Sequence, residues 1–220
     1  MAVSLPTLFV PHTPETWNTQ TEIKAWIWDA VPALPPFMLA DGSGPAKQQT
    51  VARVCYDADG LYVRFDCNDP DIWGSYTHRD DPIYDEEVVE IFLGPGEANP
   101  VHYYELEVSP NGVLFDAQVY NPTSQRTELE VETTWNCPGL RWEAERNDEQ
   151  HHWWAVLAIP WAAIAPPGEL PLIWRANFYR IERPRSASPE FSCWSPTMTD
   201  PADFHKPAYF GFLKLVDNNK

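Results

Sequence analysis

Residues 85–95, DEEVVEIFLGP, and residues 103–116, YYELEVSPNGVLFD, set apolar and acidic side chains in alternation. A period of two puts successive side chains on opposite faces of a strand, so each run is read as a strand with one dry face and one wet face. Val89, Ile91 and Leu93 fall on one side, and Val88, Glu90 and Phe92 on the other. The intervening residues 93–100, LGPGEANP, form a Gly/Pro-rich turn. Antiparallel pairing about that turn brings Glu90 near Glu105, with Glu107 close on the same face. Like charges facing each other across a sheet are destabilising, so a cation or a hydroxyl-rich ligand is expected to offset them. The wider context sharpens the point, because Asp80 to Gln125 carries ten carboxylates and no Lys or Arg.

Working outward, residues 48–67, QQTVARVCYDADGLYVRFDC, form the clearest hairpin, with Gly60 available for a left-handed turn. A long polar loop, residues 68–85, follows, and Asn111-Gly112 turns the second acidic strand into a third. Further strands are predicted at 8–10, 23–28, 125–131, 140–145, 152–159, 173–182, 191–194 and 209–216. Residues 160–164, PWAAI, read as a single helical turn led by proline. Many short strands separated by turn residues predict an all-β antiparallel β-sandwich, immunoglobulin-like or jelly-roll-like, in one domain of 220 residues.

Composition narrows the function. A net charge of -17 with only 15 scattered Lys and Arg excludes a phosphate-binding surface, so neither nucleic acid nor an anionic membrane is an expected partner. A divalent cation or a neutral polyol suits this charge. Eleven Trp, nine Tyr and ten Phe supply both strand-forming residues and flat ligand platforms. The four cysteines have no CxxC spacing, and pairing about the DADG turn puts Cys55 opposite Tyr62 rather than Cys67, so free thiols are expected. These lean toward a reducing compartment. The first residues lack a basic segment and Pro6 interrupts their apolar run, so no signal peptide is legible, and the compartment stays open between cytoplasmic and secreted.

Seven pieces occur in order: CYDADGLYVRFDCNDPD, DEEVVEIFLGP, YYELEVSPNGVLFDA, WWAVLAIPWAAI, WRANFYRIER, CWSP and HKPAYFGFLKL. Together, over residues 45–216, they resemble carbohydrate-binding module family 9, the β-sandwich modules appended to xylanases. The resemblance implies carbohydrate binding without catalysis, a link to polysaccharide catabolism, and structural calcium. It implies an aromatic clamp at Tyr84 and Phe204, the latter followed by His205, and a hydroxyl-binding acid at Glu90. It also makes Asp69 a calcium ligand. Where the family's binders carry an Arg, this chain has Glu107, and the clamp is Tyr/Phe rather than Trp/Trp.

From the residues themselves, Glu105 and Glu107 join Glu90 as hydroxyl acceptors, Arg180 is a candidate ligand contact from a neighbouring strand, and Trp73 is a further stacking platform. The alternatives are rim packing for the aromatics and a solvated sheet face for the acids. Asp66, Asp69 and Asp81 bound one loop, and clustered carboxylates suit calcium. Two other functions stay open: an endo-xylanase-like glycoside hydrolase using two carboxylates, and an acidic domain that docks a basic protein. No GxSxG, HExxH, P-loop or dinucleotide fingerprint is present, and no catalytic residue is nominated.

Overall fold

The computed structural model describes residues 4–14, 21–23, 26, 28–168 and 170–216. Thirteen strands form two sheets among these residues. The smaller sheet is ordered β3 (Thr50–Tyr56), β4 (Gly60–Asn68), β10 (His152–Pro160), β9 (Arg141–Asn147). The larger runs β1 (Thr7–Val10), β13 (Gly211–Leu215), β11 (Ile173–Glu182), β5 (Val88–Pro95), β6 (His102–Val108), β7 (Leu114–Tyr120), β8 (Glu130–Glu132). Strand β12 (Glu190–Cys193) shares the edge of β11 with β13, and β2 (Met38–Leu39) extends it. Pairing is antiparallel except between β1 and β13, which run parallel. A four-residue helix, α1 (Trp161–Ile164), begins directly after Pro160.

The faces that meet carry the expected apolar residues. Val89, Ile91 and Leu93 of β5 and Phe178 of β11 pack on Val63 and Phe65 of β4 and Leu157 of β10. Phe65 meets Phe178 edge-on at 6.2 Å, and Trp161 stacks on Trp174 at 5.4 Å. Cys55 pairs with Tyr62 in the β3–β4 register, and all four cysteines are buried free thiols. Gly112 takes a left-handed φ of 77°, as its turn requires. Gly60 does not. It is glycine because a Cβ there would lie 2.6 Å from the Ile159 carbonyl oxygen on β10.

Three expectations need correction. Residues 24, 25 and 27 of the strand predicted at 23–28 lie outside the described residues, and Trp28 opens a 3-10 turn. The segment 125–131 is a 3-10 turn, Arg126–Glu128, followed by the three-residue β8. Most consequential, the acidic face of the larger sheet is not wet: Glu90, Glu105 and Glu107 are all buried. Phe204, His205 and Phe210, from the chain leading into β13, lie over Phe92, Tyr103 and Tyr179 and form a third layer there. Alternation marks the two faces of a strand but cannot report a loop from a hundred residues away that covers one of them.

Candidate functional site

The covered face encloses a cavity of about 430 Å³ whose lining includes Tyr84, Glu90, Glu105, Glu107, Arg126 and Phe204. The 3-10 turn Ile83–Asp85 enters β5 and sets Tyr84 at the mouth, 40% exposed, edge-on to Phe115 at 5.5 Å. Opposite, Phe204 is buried and stacks nearly parallel on Tyr179 at 4.2 Å. The Tyr179 hydroxyl donates to the Phe204 carbonyl at 3.1 Å, which fixes both the ring and its backbone.

Between the aromatics, the β5–β6 register sets Glu90 opposite Glu107 and Phe92 opposite Glu105. Glu107, not Glu105, is therefore the direct partner of Glu90, a register two residues from the sequence expectation. The three carboxylates place oxygens within 4.8 Å of one another. Burial pushes Glu90 and Glu107 well above the usual carboxylate range, and pushes Glu105 up to about 7. His205 lies beside them. The Tyr103 hydroxyl is hydrogen-bonded to His205 Nδ1 at 2.8 Å, and the Asn121 amide donates to the same oxygen at 3.2 Å. His205 Nε2 lies 3.8 Å from Glu105 Oε1. Burial lowers His205 to about 3, so the imidazole is neutral and contributes no counter-charge.

Arg180 is not at this site. It shares its side of β11 with Phe178 and points between the sheets, where it is fully buried. It donates to the Asn68 carbonyl at 2.7 Å, reaches Asp69 at 3.1 Å and pairs with Glu182. Arg175 does lie on the cavity face, but its guanidinium is spent on backbone carbonyls of 207–210. Trp73 is also elsewhere: its indole donates to the Arg183 carbonyl at 2.6 Å, and its backbone N–H donates to Glu87 at 3.3 Å.

The three loop aspartates do not meet. Asp66 is held on the outer face of the smaller sheet by Arg53 and Arg64. Asp81 accepts from the backbone N–H of Thr77 and His78, closing a turn. Asp69 is instead grouped with Glu87 and Glu182, two residues that no spacing or pattern in the chain joins to it. Burial raises these two to about 9 and about 7. This group and the Glu90 group each bring three buried carboxylates together and could hold a metal. Calcium takes six to eight oxygens. In the Asp69 group, Asp69 already accepts from Trp153, Arg180 and the Asp71 backbone, and only one oxygen each of Glu87 and Glu182 lacks a donor. With Arg180 supplying the positive charge, that donor set does not fit calcium.

Arg126, Arg183 and Phe191 also border the cavity and were not expected from the sequence. Arg126 pairs with Asp203 at 2.9 Å, and the Arg183 guanidinium lies over Phe191 at 5.2 Å. Arg126 has one legible mark, as the first cation after the block that has none.

The order of strands, the capped acidic face and the Tyr84–Phe204 pair can now be set beside known proteins. The pattern of carbohydrate-binding family 9 matches residues 45–215. The chain belongs to carbohydrate-binding family 9. Relatives of this family 9 chain include an Extracellular protein of Arthroderma benhamiae, 29% identical over 225 residues, covering 96% of this chain and 91% of that protein. Among solved structures, a Bacteroides uniformis protein described as a candidate carbohydrate-binding protein superposes with a TM-score of 0.77 at 18% identity, covering 97% of this chain and all of the other. A family 9 module from Caldicellulosiruptor kristjanssonii in complex with glucose gives a TM-score of 0.65 at 14% identity, covering 97% of each chain. A family 9 module from the same organism in complex with cellotriose gives a TM-score of 0.63 at 14% identity, covering 97% of this chain and 96% of the other. Identities this low speak for the fold, and the family 9 sandwich is that fold.

Proposed function

We propose that this family 9 chain binds carbohydrate without catalysis, in the cavity between Tyr84 and Phe204. One observation carries the reading: a half-exposed aromatic ring at the mouth of a cavity whose floor has buried carboxylate oxygens without a donor, on Glu90 and Glu107. Sugars offer both complements, an apolar ring face for Tyr84 and hydroxyl donors for the acids. The glucose and cellotriose named for the Caldicellulosiruptor modules favour a gluco-oligosaccharide as ligand. The acids argue against hydrolysis. A glycosidase needs two carboxyls flanking the scissile bond from opposite sides, whereas these three rise side by side from paired strands on one face.

Affinity is expected in the micromolar to millimolar range, because sugar hydroxyls give up hydrogen bonds to water before gaining those of the protein. Isothermal titration with gluco- and xylo-oligosaccharides tests the site. Tyr84→Ala should weaken binding roughly tenfold, about 1.4 kcal/mol, with little change in melting temperature because the ring is half exposed. Phe204 is unsuited to this comparison, since its loss would also unstack Tyr179. No heat with any of these sugars, or equal affinity in Tyr84→Ala, would refute the assignment.

A further inference from the structure

Glu107 is fully buried and neither of its oxygens receives a hydrogen bond from a donor group; Glu90 is nearly as buried and leaves Oε1 without one. Both line the cavity. Among the described residues no cation pairs directly with them: Arg126 acts on Glu90 only through space and is drawn to Asp203, Arg183 lies on Phe191, Arg175 serves backbone carbonyls, and Arg180 faces the other side of the sheet. His205 is neutral, and the remaining ionisable neighbours, Asp85 and Tyr84, add no positive charge. Left alone, the cluster is relieved by retaining protons, one of them between Glu105 and Glu107, and a bound cation would displace these protons and free the oxygens that hold them.

Building on the carbohydrate reading above, we propose that the preferred ligand is an amino sugar, its protonated amine seated on Glu107 and Glu90 and its ring on Tyr84. The count of groups favours this over a metal ion. An ammonium has three N–H donors, and the floor offers three oxygens without a donor, two on Glu107 and one on Glu90. Calcium would need at least twice as many oxygen ligands. The aromatic walls, Tyr84, Phe115 and Phe204, suit the body of a sugar, and their ring faces supply no oxygen ligand to a metal ion. Charge-assisted hydrogen bonds are roughly twice as strong as neutral ones, so the amine outweighs the hydroxyl it replaces.

The test is titration of the intact chain at about pH 6 with fully deacetylated chitotriose, cellotriose and triacetylchitotriose. The amine trimer should bind at least about tenfold more tightly than either neutral trimer. Glu107→Gln, nearly isosteric, should weaken the amine trimer at least about tenfold more than it weakens cellotriose and so remove that preference, and Glu90→Gln should reduce it. Cellotriose binding as tightly as the amine trimer would overturn the inference and leave the carbohydrate site standing, whereas silence with all three would remove the site itself. An amine preference unchanged in both variants, or calcium raising the melting temperature more than the amine trimer does, would also overturn it.

Discussion

Arg180→Ala should destabilise the protein by about 3–5 kcal/mol, the cost of removing one partner from a buried ion group. The side chain is fully buried and joins three groups: the Asn68 carbonyl at the end of β4, Asp69 just after it, and Glu182 at the end of β11. Its loss leaves Asp69 and Glu182 buried beside Glu87 with no positive charge. The carboxylates must then take up protons or admit water, and either costs packing at the end of the sandwich. Arg180→Lys should recover part of the loss, since an ammonium keeps the charge but cannot span the same partners. Urea unfolding measures both; a loss below about 1 kcal/mol in Arg180→Ala would mean that this end of the core is already wet.

The second large effect is on pH. Glu105, Glu182 and Glu87 are raised by burial to about 7, 7 and 9, with Glu90 and Glu107 displaced in the same direction. In the unfolded chain a glutamate ionises near 4.3. Above that pH the folded protein holds more protons than the unfolded one, so stability falls as pH rises toward the folded values. His205 acts in the opposite sense. Held near 3 in the fold, it charges near 6.5 once unfolded, so its contribution is lost as pH falls below that value. From about pH 6.5 to 8 the glutamates dominate, because the four buried thiols, also pushed up by burial, count only as unfolded cysteines ionise near 8.5; the expected loss over that range is on the order of 3 kcal/mol, roughly 6–12 °C in melting temperature. A melting temperature that is flat or rises over that range would contradict the buried, protonated state of these acids. A bound cation should flatten the slope, because it replaces the protons.

The same residues mark what the sequence could and could not disclose. Strand β11 was legible to its ends, Ile173–Glu182, because a ten-residue run with no glycine or proline and many large apolar residues has few alternatives. The gathering of Glu90, Glu105 and Glu107 followed from alternation and one turn. Which way Arg180 points did not follow. In β11 both faces carry large apolar residues, Trp174 and Phe178 on one and Tyr179 and Ile181 on the other, so hydrophobicity does not tell inside from outside. The Asp69 group shows a different limit. Asp66, Asp69 and Asp81 are neighbours along the chain, but Asp66 projects from the outer face of β4 and Asp81 closes a remote turn. Asp69 finds its companions on β11 and just before β5, contacts that depend on how the sheets stack. Covering of the acidic face by residues 197–210 was equally non-local.

The central claim is that the ligand site lies on this covered face, between Tyr84 and Phe204 above Glu90 and Glu107. A crystal structure of the protein soaked with cellotriose and, separately, with deacetylated chitotriose tests it most directly. The account predicts a sugar ring against Tyr84 with hydrogen bonds to Glu90 or Glu107, and in the amine complex an ammonium nitrogen in contact with Glu107. Sugar bound instead on the outer face of the smaller sheet, beside Trp154 and Arg64, with the Tyr84 cavity empty, would contradict it.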